Sequence, residues 1–313
     1  MNPEHFTATN AAVIHCEYPS RESPAPDTFP DMIWASNYTR LACLTLFALF
    51  FAGNDFAPLC VLDGMNIQDW LQTHYFDAVR QLATGIASHD NGSLLESCVI
   101  GWDSWNEPNT ALLGVEDLSR HSKDEQLKVG PMPTPFEAMR LGMGESLSIE
   151  NWRFSSTGPK RAGNVTIDPR GIKAWLQPTE EEIDQDGRSK RWGWKRDPAW
   201  ALGTCIWALH GVWDPESKRL LKPEYFKCKP DTPKEELEAG RDYWLPQFRE
   251  YAKVIRSCHP EAILFIHPPV FKVPPKIDEV CHDIIKSRAC FSTHFYDGVT
   301  LVTKYVNLFQ TEP

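Results

Sequence analysis

Hydrophobic positions along the chain fall into helical periods near its start and into short unbroken apolar runs in its last third. From Pro30 the segment DMIWASNYTRLACLTLFALFFAG reads as helix, with Asp31 as N-cap and Gly53 as its end. Its densest part, Leu41 to Ala52, falls well short of the roughly 20 apolar residues that span a bilayer, so it predicts a core helix. From Ile67 to Ala87, Trp70, Leu71, Tyr75, Val79, Leu82 and Ile86 recur at helical spacing, and His89-Asp90-Asn91-Gly92 breaks the pattern. Ser97 to Ser104 (SCVIGWDS) predicts a short parallel strand, apolar on both faces and ending at Trp105-Asn106-Glu107-Pro108. Glu236 to Cys258 is again helical, Ala262 to His267 (AILFIH) is a buried strand closed by Pro268-Pro269, Lys276 to Ser287 is a helix, and Cys290 to His294 is a strand.

Two successive helix-then-strand steps, each strand ending in polar or aromatic residues, predict a parallel α/β architecture of barrel or doubly wound type. Neither G-x-G-x-x-G nor G-x-x-x-x-G-K-[ST] is present, which removes support for the nucleotide-binding versions. Between Asn109 and Gly240 the pattern is irregular and rich in Pro, Trp and charge.

Charge narrows the function classes. The 313 residues carry a formal net charge of -10, which disfavours nucleic acid as a partner. The run Gly187 to Pro198 (GRSKRWGWKRDP) is locally basic around Trp192 and Trp194, but Asp186 and Asp197 flank it, so it reads as a solvated loop or one that frames a sugar site. Twelve Trp suggest flat aromatic surfaces of the kind that pack on sugar rings or lipids. Nine Cys without C-x-x-C spacing indicate neither a zinc ribbon nor a complete disulfide framework. With no basic segment followed by an apolar stretch in MNPEHFTATN, a cytoplasmic product with reduced thiols is expected. No H-E-x-x-H occurs, and neither a metal nor a cofactor is expected.

The strongest chemical signal is Gly101-Trp102-Asp103-Ser104-Trp105-Asn106-Glu107-Pro108. A carboxyl group at a strand end can protonate a departing glycosidic oxygen while the amide before it holds the sugar 2-hydroxyl. The bland reading is a turn that only ends the strand. The apolar VIGW before it and the Trp-rich, acidic chain around it favour the catalytic one.

Trp102 to Pro108 resembles the acid/base signature of glycoside hydrolase family 5. His15-Cys16-Glu17-Tyr18-Pro19, Phe50 to Gly53, Phe56-Ala57-Pro58, Asn66 to Asp69, Ala138 to Gly144, Trp207 to Pro215 and Ser292 to Gly298 resemble the fungal glycolipid-cleaving branch of that family. Its members are the glucosylceramidases and ergosteryl-β-glucosidases related to endoglycoceramidase. The resemblance implies a (β/α)8 TIM barrel and retaining β-glucosidase chemistry on glucosylceramide or steryl glucoside. It implies Glu107 as general acid/base, with a raised pKa, and Asn106 on the sugar 2-hydroxyl. His294 and Tyr296 match a His-x-Tyr pair after the sixth strand, where the tyrosine orients the nucleophile. A glycolipid substrate implies transient contact with the membrane surface that carries it.

The departures from the pattern are equally specific. The nucleophile belongs at the end of a seventh strand, and the sequence stops about one helix past the sixth. Glu312 follows helix-like residues and no strand. The arginine and histidine of the early strands are also missing. The chain is therefore expected to be an internal piece of the catalytic domain, an incomplete barrel of strands about four to six over residues 1-313, with a Trp/Pro-rich insertion at about 109-240. Alone it is expected to lack turnover. The alternative is a non-catalytic or degenerate glycolipid-binding protein.

Overall fold

The computed structural model describes residues 34–295, 297 and 300, except 123, 124, 126, 156, 157, 176–182, 233 and 286. In chain order the elements that matter here are α1 (Leu41–Phe56), α2 (Ile67–Ser88), α3 (Ser93–Cys98), β1 (Gly101–Asp103), β2 (Gly130–Met132), α4 (Pro135–Gly142), β3 (Leu147–Ser155), β4 (Gly158–Ile167), α5 (Leu245–Cys258), β5 (Ile263–Ile266), α6 (Asp278–Ile285) and β6 (Ala289–Phe291). The chain divides into two compact units, one of residues 1–46, 115–227 and 295–313 and the other of residues 47–114 and 228–294.

The second unit carries a parallel sheet with strand order β6-β5-β1. Its middle strand, β5, buries Leu264 and Ile266, and α5 buries Phe248, Tyr251, Ala252 and Ile255 in the same unit. Gly101 is required where β1 meets β5, since a Cβ there would lie 2.3 Å from the carbonyl oxygen of Ile263. α2 starts at Asn66, whose side chain accepts the Gln68 amide proton and donates to the carbonyls of Gly53 and Ala57. The cap thus also ties down the end of α1.

Several sequence expectations are corrected. Asp31 lies outside the described residues, and the helix expected to stop at Gly53 continues to Phe56 across a kink at Ala52 (φ -140°, ψ 27°). Just past Gly53, the Asn54 amide donates to the Gln68 side chain of α2 and the Asn54 side chain to Asp69. Leu82 of α2, one of the apolar residues at helical spacing, is 59% exposed, and the buried positions of that helix are Ile67 and Ala83. Ser97 and Cys98 finish α3, so β1 is only Gly101–Asp103, half-buried and then exposed. α5 begins at Leu245, after a π-helical turn over Gly240–Trp244, and β6 ends at Phe291, leaving His294 on the loop beyond it.

The region 109–240, read as irregular, contains in the first unit an antiparallel sheet of order β2-β3-β4, with a register shift between Glu150 and Trp152. α4 opens there with a capping box in which Thr134 accepts from the Glu137 amide while the Glu137 carboxylate accepts from the Thr134 amide. The core of this unit holds Trp207 and Phe226 at 5.0 Å between ring centroids, and the Trp207 indole donates to Thr45. Buried Arg40 donates to the Pro131 carbonyl at 2.6 Å, and burial lowers its pKa to about 9.

Candidate active site

The three parallel strands of the second unit release their chains at one end of the sheet, and the predicted residues gather there. From β1 the chain bends through Ser104 to Glu107, which sits in the left-handed region at φ +47°. Its side chain is buried, and Oε1 lies 2.9 Å from Nδ1 of His294, on the loop after β6. Asn106 is exposed. Tyr296 lies outside the described residues.

His267, the residue directly after β5, completes the group, and the sequence reading assigned it no part. It is 3% exposed, and its Nδ1 accepts the backbone N–H of Glu107 at 3.3 Å. Because Nδ1 accepts, the neutral ring carries its proton on Nε2. The rings of His267 and His294 meet edge to face, 4.3 Å between centroids. Burial lowers the His267 pKa first and the nearby His294 adds to this, while Asp103 and Glu107 oppose them. The one sequence signal for it was its place, a histidine at the carboxyl end of a buried parallel strand just before Pro268-Pro269.

Asp103 and Ser292 form a tie across the sheet end. The Ser292 hydroxyl donates to Oδ2 of Asp103 at 2.9 Å, although β6 and β1 are separated by β5. Tyr251 of α5 donates its hydroxyl to the Asp103 carbonyl at 2.7 Å. Burial first, and the negative charge of Asp103 second, push the Tyr75 phenol pKa up, so it stays protonated. Trp105 packs into an aromatic cage with Phe50 at 4.3 Å, Tyr75 at 5.3 Å and Phe47 at 5.8 Å. The cage anchors the bend that carries Glu107.

A buried carboxyl group beside an imidazole, on a backbone held by a second imidazole, can give and take one proton at a fixed point. Among the described residues no group of three His, Cys, Asp or Glu is placed to hold a metal ion, and no helix is long and apolar enough to cross a membrane.

No protein-family profile matches the chain. It is 41% identical over 309 residues to a glucosylceramidase of Aspergillus fumigatus, a match covering 98% of this chain and 39% of that protein. It is 36% identical over 315 residues to the ergosteryl-beta-glucosidase of Saccharomyces cerevisiae, covering 98% of this chain and 40% of that protein. Among solved structures it superimposes on Cryptococcus neoformans sterylglucosidase 1 with a TM-score of 0.85 and 51% identity, over 97% of this chain and 41% of that one. The chain thus spans about two fifths of the length of the curated relatives it matches. It is a homologue, along nearly its whole length, of the fungal glucosylceramidases and ergosteryl-β-glucosidases.

Proposed function

We propose that this chain supplies the acid/base side of a retaining β-glucosidase that splits glucose from a lipid alcohol, a sterol or ceramide. The observation that carries this reading is the buried Glu107 carboxyl, 2.9 Å from His294 at the carboxyl end of a parallel sheet. The names of the relatives supply the sugar and the lipid class.

In the first step a carboxylate attacks the anomeric carbon, the bond to the lipid oxygen breaks, and Glu107 gives that oxygen its proton. In the second, Glu107 takes a proton from water as the water displaces the enzyme carboxylate from the sugar. His294, hydrogen-bonded to Oε1, fixes the carboxyl plane and lines the sugar subsite. Asn106, exposed beside it, is assigned the 2-hydroxyl, and Tyr296 the orientation of the nucleophile. Retention requires that nucleophile roughly 5 to 5.5 Å from Glu107. Asp103 is tied to Ser292, so the attack is assigned to a carboxylate outside the described residues.

A barrel-type frame fits the same site. Neighbouring strands lie about 4.8 Å apart, so β1 and β6 would be roughly 10 Å apart in a flat sheet. One Ser292–Asp103 bond joining them supports a sheet curled toward its site-bearing end.

The test uses the longest natural polypeptide that contains these residues. Glu107→Gln should lower turnover of steryl glucoside by several powers of ten, yet spare much of the first step with a dinitrophenyl β-glucoside, whose leaving group needs no proton. Equal loss on both substrates argues against the role given to Glu107. Binding of steryl glucoside by the unmodified protein with no turnover of either substrate would support the non-catalytic reading instead.

A further inference from the structure

We propose that the turn Ser189 to Trp194, in the first unit, is a contact site for an anionic membrane surface. The turn is built rigidly. The Ser189 amide donates to the Trp194 carbonyl at 2.9 Å, the Gly193 amide to the Ser189 carbonyl at 2.7 Å, and the Trp192 amide to the Ser189 hydroxyl at 3.2 Å. Gly193 takes φ +75°, and the Arg188 guanidinium donates to its carbonyl at 2.9 Å. Bridges from Ile183 to Ser189 and from Arg188 to Lys195 tie the base. Lys190, Arg191 and Trp192 are left at the apex, all exposed.

Trp192 is 62% exposed, and the Arg191 guanidinium lies 4.5 Å from its ring centroid. The indole plays no part in a core, yet backbone hydrogen bonds hold the turn that presents it. Charge is sorted along the loop. Asp184 accepts from the amides of Asp186 and Arg188, and Asp197 accepts from the Ala199 amide. Those carboxylates are therefore drawn to the root while cations occupy the tip. An amphipathic indole flanked by ammonium and guanidinium groups suits the boundary between acyl chains and anionic headgroups.

The same loop fits nucleic acid poorly. Binding of single strands uses a series of free aromatic faces. Here the Arg196 guanidinium is 5.1 Å from the Trp194 ring and 4.9 Å from the Trp200 ring, both half-buried, which leaves Trp192 as the one exposed indole of the loop. The contact would bring the protein to a lipid-borne substrate, but it stands without the reaction proposed above.

The experiment is co-sedimentation with vesicles, which needs no turnover. The protein is mixed with phosphatidylcholine vesicles and with vesicles containing 30% phosphatidylserine, at low salt and at 0.5 M NaCl. Binding to the phosphatidylserine vesicles is expected at low salt, lost at high salt, with a blue shift of tryptophan emission. The double variant Lys190→Glu/Arg191→Glu should bind at least tenfold more weakly, and Trp192→Ala several-fold more weakly with the blue shift abolished, all with unchanged circular dichroism. No binding by the unmodified protein, equal binding by the variants, or tighter retention on a single-stranded oligonucleotide than on the vesicles would each overturn the proposal.

Discussion

His267→Leu should lower kcat by about 10- to 100-fold with KM nearly unchanged, and His267→Asn should recover most of the loss. Glu107 is held in the left-handed region, which costs an ordinary residue about 1–2 kcal/mol, and its amide donates to Nδ1 of His267. Leucine leaves that buried N–H without this acceptor, at about 1–3 kcal/mol. Spent on the population of the productive carboxyl geometry, that energy gives the stated range. The 3.3 Å length of the bond argues for its lower half. Asparagine places a side-chain oxygen close to where Nδ1 sits and cannot titrate. The assay is kcat and KM with an activated aryl β-glucoside from pH 4 to 8 on the longest natural polypeptide that contains these residues and its two variants, with thermal melts alongside. The unmodified protein should lose activity on the acid side as His267 takes a proton on Nδ1, and His267→Asn should move that limb. Equal damage by leucine and asparagine, or a change confined to KM, would refute the positioning role. Nitrogen NMR of the ring offers a readout free of turnover: His267 should remain the neutral Nε2–H form at pH values where an ordinary histidine has gained a proton.

Further expectations concern stability. Gly101→Ala should cost about 1–3 kcal/mol or more in urea unfolding, because its methyl would sit 2.3 Å from the Ile263 carbonyl oxygen and 2.7 Å from the Phe265 ring. An unchanged urea midpoint would mean the β1–β5 contact is looser than described. Trp105→Ala should cost roughly 3 kcal/mol by emptying the cage of Phe47, Phe50 and Tyr75, and Trp105→Phe clearly less. His267 and His210 both have pKa values lowered chiefly by burial, so the unfolded chain binds more protons below the ordinary value near 6.5. Stability should therefore be full above that pH and fall as pH drops from 6.5 toward the folded-state values, and a urea midpoint that rises on acidification over this window would contradict the assignment.

Elements with an unambiguous local pattern were legible. The helix read over Ile67 to Ala87 differs from α2 by one residue at its end, and the apolar run at Ala262 to His267 contains the whole of β5. Apolar runs without a period were not. Ser97 to Ser104 mixes the end of α3 with β1, since a short apolar run serves a helix end and a buried strand equally well. The sheet β2-β3-β4 was invisible for the opposite reason. β4 (GPKRAGNVTI) is exposed or half-buried at every position, so no face alternates and only cross-strand pairing reveals it.

At the candidate site, sequence could mark Glu107 but not its posture. Pairing sets Asp103 opposite Phe265, so Glu107 lies four residues beyond the paired position on one chain and His267 two beyond it on the other. Two extended chains would carry them to different heights, about 13 Å and 7 Å past that position at roughly 3.3 Å per residue. Their hydrogen bond therefore requires the β1 chain to fold back within Ser104 to Glu107. The left-handed φ of Glu107 and the Trp105 cage are the means by which it does so. Asn-Glu-Pro announces the carboxyl group because it is contiguous. The acceptor that holds it comes from a residue 160 positions away, brought to the same place by the register of two parallel strands.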